Sequence, residues 1–142
     1  MTTEDTRPHP DPVQTLLGHD SGALSSRMGI EIIELGADAS RARMPVTGNT
    51  QVTGRVHGGA YAVLAETVAS LSASVHAGPG RVALGTELSA SHVGGTATGY
   101  VHAQCRAVSL GGRLTVHQVD LTDDAGALLS TIRVTNYLVA RP

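Results

Sequence analysis

Gly58-Gly-Ala-Tyr-Ala-Val-Leu-Ala-Glu66-Thr-Val-Ala-Ser70-Leu-Ser-Ala-Ser-Val-His76 holds no proline and has glycine only at its start. Nearly every residue in it is apolar or small, and at 1.5 Å rise the run makes a helix of about 28 Å. An apolar helix with no polar face is a buried one, so the stretch predicts a central helix wrapped by the rest of the chain. Gly78-Pro79-Gly80 ends it.

Outside the helix the apolar period changes. Ser26–Leu35, with Ile30, Ile32 and Ile33, and Ser40–Val46, with Ala42, Met44 and Val46, read as strands joined at Gly36-Ala-Asp38. Thr47–Val56 is a polar loop. Beyond the helix come four strand-like stretches: Val82–His92, Ala97–Val108, Leu114–Thr122 and Leu128–Val139. They are separated by Gly94-Gly95, Gly111-Gly112 and Asp123-Asp-Ala-Gly126, the last a hairpin signal. Read as a meander, they predict a mostly antiparallel sheet with one helix across one face, an α+β fold. Residues 1–20 read as an N-terminal arm, partly disordered, with a short helical turn near Val13–Leu17; residues 21–142 form the domain.

The chain has 142 residues, enough for one domain, with 41% apolar and 15% charged residues and a formal charge of −2. That balance excludes a chain disordered throughout and provides no basic surface for nucleic acid. No apolar run is long enough to span a membrane. All ten cations are arginine, so lysine Schiff-base chemistry is excluded. With three tyrosines, no phenylalanine and no tryptophan, the core must be built from small aliphatic residues. Such a core gains from burial between subunits, which favours a homo-oligomer. Cys105 is the single cysteine and lies in an alternating stretch, so it reads as structural. The polar opening with Pro8, Pro10 and Pro12 is unlike a secretory leader, and a reducing cytoplasm is expected.

Glu66 is the only charged residue between Arg55 and Arg81. A carboxylate in an oily helix is costly unless it is paired or used, so it reads as a general base or nucleophile. The bland alternatives are a carboxylate at an exposed helix edge, or one paired with an arginine. Ser70, four residues on, shares its face. His57-Gly58-Gly59 stands at the helix start, where bare N–H groups and the helix dipole suit an oxyanion. Gly58 and Glu66 are about 12 Å apart along one helix. One carbonyl can meet both only if a second subunit supplies one of them.

The run from Gln51 to Ser70 resembles the signature of hotdog-fold acyl-CoA thioesterases. It is most similar to the branch of the Arthrobacter-type 4-hydroxybenzoyl-CoA, 1,4-dihydroxy-2-naphthoyl-CoA and phenylacetate-pathway thioesterases. The likeness extends from Met28 to Leu138 and includes Met44-Pro-Val, Gly85-Thr-Glu-Leu-Ser-Ala-Ser-His92, Gly112-Arg113 and Asp123-Asp-Ala-Gly126. It implies a hotdog fold, a mostly antiparallel sheet wrapped around one long central helix. It also implies hydrolysis of an acyl-CoA thioester, aromatic acyl groups included. Glu66 matches the catalytic acid residue and Gly58 the oxyanion donor from the facing subunit. Gln51 matches a loop glutamine near the thioester, Ser70 the hydroxyl that orients water or carboxylate, and His57 the histidine shaping the turn. His92 matches a histidine near the pantetheine arm; Arg113 is the expected contact for a CoA phosphate, Tyr61 a residue the acyl group would meet, and Gly59 a further substrate-site residue.

After His92 the chain reads Val93-Gly94-Gly95-Thr96, where the family usually has a Leu-Arg-Pro-Val-like stretch. Dimers joined edge to edge and stacked into tetramers are implied, with no cofactor beyond the CoA of the substrate. No metal is expected, since His76, His102 and His117 lack further ligands at suitable spacing. A dehydratase reading lacks its Asp-x-Asn-x-x-His motif. A non-catalytic module binding acyl-CoA or acyl-carrier-protein is the alternative from another class.

Overall fold

In a computed structural model, residues 10–142 are described; residues 1–9 of the expected arm lie outside them. The elements are α1 (Pro12–Leu17), α2 (Ala23–Met28), β1 (Glu31–Glu34), β2 (Ala39–Pro45), α3 (Gly58–Ala77), β3 (Arg81–His92), β4 (Tyr100–Leu110), β5 (Leu114–Thr122) and β6 (Leu128–Ala140). Six antiparallel strands in the order β1-β2-β4-β5-β6-β3 curve around α3. The predicted α+β hotdog architecture is therefore present.

Local chemistry sets the ends of the helices. The Asp11 carboxylate accepts from Val13 N–H at 3.0 Å to cap α1. Val13 is buried, and α1 packs on α3 and β1. The strand expected from Ser26 begins only at Glu31, because Ser26–Met28 complete α2. Gly29, at φ +72°, ends that helix in the left-handed region. The β preference of Ile30, Ile32 and Ile33 acts only after that stop.

The four-strand meander holds for β4-β5-β6 alone. Strand β3 pairs with β6, from Arg81 opposite Ala140 to His92 opposite Ser130, while β2 takes the free edge of β4. Strand β3 is thus an edge strand, bulged between Gly85 and Glu87, with one side unpaired among the described residues.

Helix α3 buries Tyr61, Leu64, Ala65, Val68 and Ala69 against the sheet. These meet Met44, Val101, Val119, Leu121, Leu129, Ile132 and Val134 in one aliphatic core. A smaller cluster of Ala73, Ala83 and Leu138 lies toward the helix C-terminus. Polar residues stand between the two: Thr115, His117 and Asn136 are all fully buried.

His117 Nε2 donates to Ala37 O at 2.9 Å, so the neutral ring keeps Nδ1 bare, and Nδ1 has no partner among the described residues. Burial holds its pKa below the usual histidine value of 6.5. An unfolded chain therefore binds a proton that the native state refuses. Stability is fully present above pH 6.5 and is lost as pH falls toward the lowered native value. The unfolding midpoint of the wild type is expected to drop over that window, and that of His117→Gln to drop less. Parallel curves from pH 8 to pH 5 would assign the acid sensitivity elsewhere.

Candidate active site

Five sequence-predicted residues gather at the N-terminal end of α3. His57 caps the helix, its Nδ1 accepting from Gly59 N–H at 2.8 Å. Ala60 N–H and Tyr61 N–H both donate to His57 O. Gly58 N–H makes no hydrogen bond among the described residues, which leaves one donor free at the positive end of a 20-residue helix. A Cβ at Gly58 would stand 3.0 Å from the His92 ring, and one at Gly59 would stand 2.9 Å from His57 Nδ1. Backbone at both positions is therefore closely approached by imidazole.

The orientation of His92 follows from its partner. Ser130 Oγ donates to Ser91 O at 3.2 Å and so accepts from His92 Nδ1 at 2.8 Å. That leaves Nε2 facing Gly58. Tyr61 packs against His92 in a tilted arrangement with centroids 5.2 Å apart and rings 57° from parallel, and its hydroxyl donates to Gly94 O at 3.3 Å. Tyr61 is only 2% exposed, so it is a wall beneath His92 rather than an open contact.

Gln51 lies in the tight loop before the helix. Its side-chain Oε1 accepts from Thr53 N–H at 3.0 Å, and the loop is closed by Gln51 N–H on Arg55 O at 2.7 Å. Val52, at its tip, is fully exposed.

A second group forms two turns along α3. Glu66 is exposed, and the helix carries an open stripe of Gly59, Val63, Glu66, Thr67 and Ser70. The expectation of a helix buried on every face is corrected here. In the single chain Glu66 matches the exposed-edge alternative, because the sheet ends at β3 and leaves this side of α3 uncovered. It has no arginine partner among the described ion pairs. Its carboxylate lies on Gly85: a Cβ there would collide with Oε1 and stand 3.1 Å from Cδ. Ser70 Oγ, half-buried, donates to Asn136 Oδ1 at 2.7 Å. Asn136 is the residue the sequence reading missed. It sits opposite Gly85 on β3 and Thr115 on β5.

Arg113 lies apart from both groups, in the β4–β5 turn, where its carbonyl accepts from Leu138 N–H at 2.8 Å. The same turn receives His76 Nε2 on Gly111 O, so it neighbours the C-terminal end of α3. Clefts of about 380 and 480 Å³ are lined by α1 with the end of α3, and by α1 with β1; neither touches Gly58 or Glu66. Cys105 is buried and its thiol is pushed up to about 11 by desolvation, which makes it a poor nucleophile. Among the described residues no three His, Cys, Asp or Glu side chains converge as a metal site. No described helix is long and apolar enough to cross a membrane.

One helix thus carries two separate polar groups: a free N–H beside His92, and a carboxylate with a serine beside the open edge of β3. The Thioesterase superfamily profile matches residues 53–130, which span both. The chain is 37% identical over 114 residues to the proofreading thioesterase EntH of Cronobacter turicensis, covering 80% of this chain and 83% of that one. It is 30% identical over 128 residues to the 1,4-dihydroxy-2-naphthoyl-CoA hydrolase of Escherichia coli, covering 89% and 94%. A crystal structure of a Haemophilus influenzae thioesterase superposes with a TM-score of 0.80 at 32% identity, covering 84% and 85%. The chain belongs to the thioesterase superfamily, as a hotdog-fold enzyme that hydrolyses thioesters.

Proposed function

We propose that this thioesterase hydrolyses acyl-CoA esters at a site shared between two copies of the chain. The reading rests on one observation: the Glu66 carboxylate, free of any cation among the described residues, lies on Gly85 beside the unpaired edge of β3. An exposed edge strand of this length invites pairing. A two-fold copy paired along β3 covers the open stripe of α3 and removes Glu66 from bulk water. It also brings the free Gly58 N–H of the facing subunit toward the carboxylate, which one helix alone cannot do. Stacking of two such dimers completes the assembly that the family resemblance implies.

In this mechanism the thioester carbonyl accepts from Gly58 N–H. Water held by Glu66 and Ser70 attacks its carbon while Glu66 takes the proton. The oxyanion collapses, the C–S bond breaks, and the CoA thiolate leaves and is protonated, giving the free acid. Direct attack by Glu66, with water resolving the anhydride, is distinguished by a single turnover in ¹⁸O-water, which labels the Glu66 carboxylate only on that route. Gln51 and His57 border the carbonyl, while Gly59 and His92 line the approach of the pantetheine arm and Tyr61 backs His92. Arg113 is the candidate contact for a CoA phosphate. A cytoplasmic location fits a CoA-ester substrate and one buried free thiol.

The test is release of free thiol from benzoyl-, phenylacetyl-, naphthoyl- and aliphatic CoA esters. Turnover of at least one series supports the proposal, whereas binding of all of them without release indicates the non-catalytic module.

Gly85 provides a specific check. Its φ is not in the left-handed region, so alanine is allowed by the backbone, yet its methyl occupies the place of the carboxylate. Glu66 is a flexible side chain and can swing away cheaply. Gly85→Ala is therefore expected to lower kcat by about 10²-fold through misplacement of the base, with little change in the unfolding midpoint. An unchanged kcat would show that the carboxylate works from elsewhere.

A further inference from the structure

Inward-facing positions of β6 run Ile132, Val134, Asn136, Leu138, so Asn136 breaks an otherwise apolar series. It is fully buried, and its Nδ2 has no hydrogen-bond partner among the described residues. An orphaned buried amide donor is costly, so an aliphatic residue would serve the fold at least as well. What Asn136 does have is one short contact, accepting the Ser70 hydroxyl proton at 2.7 Å. The sheet register places it directly opposite Gly85, on which the Glu66 carboxylate lies.

We propose that Asn136 is a positioning residue for hydrolysis. By accepting the hydrogen bond of the Ser70 O–H, it fixes Ser70 Oγ as an acceptor toward the cleft that turns the attacking water toward Glu66. A serine hydroxyl has one proton and two lone pairs. With the proton committed to Asn136 Oδ1, Ser70 does not donate to Glu66, whose oxygens stay available as base. Only lone pairs then face the cleft, and they accept one proton of the water while Glu66 accepts the other. The inference rests on the proposed acyl-CoA hydrolysis at Glu66 and adds the group that sets the direction of its hydrogen bonds.

The test is a double-mutant cycle on the acyl-CoA ester turned over fastest, with Ser70→Ala, Asn136→Leu and the pair. Asn136→Leu is expected to lower kcat about tenfold to a hundredfold, as Ser70→Ala does, with KM little changed. The double variant is expected to be no slower than Ser70→Ala alone. The unfolding midpoint of Asn136→Leu is expected to stay level or rise, because an orphaned donor has been removed. Asn136→Asp keeps an oxygen for Ser70. It is expected to recover part of kcat, a rescue that a merely structural role would not give. Losses in kcat that multiply in the double variant overturn the proposal, as does wild-type kcat in Asn136→Leu. Should Asn136→Leu fail to fold, Asn136→Ala takes its place in the cycle, and wild-type kcat in that variant overturns the proposal equally. If Glu66→Gln retains full activity, the reading of the site itself falls, which is a separate outcome from a failed cycle.

Discussion

Glu66→Gln is expected to reduce kcat by about 10³-fold on every acyl-CoA ester the protein turns over, while the unfolding midpoint and the oligomeric state stay at wild-type values. The catalytic loss follows from removing the only group on the open stripe of α3 that can take a proton from water. The unchanged stability follows from the surroundings of Glu66. It is exposed in the single chain and forms none of the described ion pairs, so nothing native is broken by neutralising it. Glutamine keeps the shape over Gly85 and the hydrogen-bonding capacity but cannot act as base. Ser70→Ala is expected to cost less, because water can still be held by the carboxylate alone. Near-normal turnover by Glu66→Gln would remove the carboxylate from the mechanism.

Mixing two inactive subunits is expected to restore activity. Gly58→Val crowds the His92 ring, which a Cβ at this position already approaches to 3.0 Å, and blocks the free N–H; Glu66→Gln removes the base. Each homodimer then lacks a working half of both sites. In a mixed dimer one site carries both defects and the other none. Random exchange of equal amounts makes about half of the dimers mixed, so specific activity should return to about a quarter of wild type. The measurement is thiol release before and after dissociation and reassociation of the two variants, with each variant alone as control. Activity that stays at the sum of the controls would place carbonyl donor and base in one chain and end the shared-site proposal.

Legibility differed sharply between the helix and its surroundings. Residues 58–76 announced α3 through composition alone, and the glycines at 78 and 80 fixed its end to within one residue of Ala77. The hairpin at Asp123–Gly126 and the limits of β5 were equally clear, since turn residues interrupt a strict alternation. Strand β3 was recognised as a strand but misplaced among its neighbours, because alternation says which face is inward and nothing about which edge a strand joins. Glu66 and Gly58 stood out as chemically odd residues at a helix middle and a helix start. Asn136 did not, as one asparagine within a β-strand is common, and its meaning depends on facing Ser70 from 66 positions away in the chain.

The local pattern by itself determined that one long helix is wrapped by an antiparallel sheet, and that a carboxylate and a glycine pair stand two turns apart on it. Those features depend on residues near each other in sequence, through helical rise, capping and alternation. Tertiary structure alone decided that β3 returns beside β6 and leaves an open edge, and that Glu66 comes to rest on Gly85. It likewise decided that His92 faces Gly58 and that Asn136 holds Ser70. Each of these joins segments far apart in the chain, and such contacts are set by strand pairing and core packing, which leave no periodic mark on the sequence.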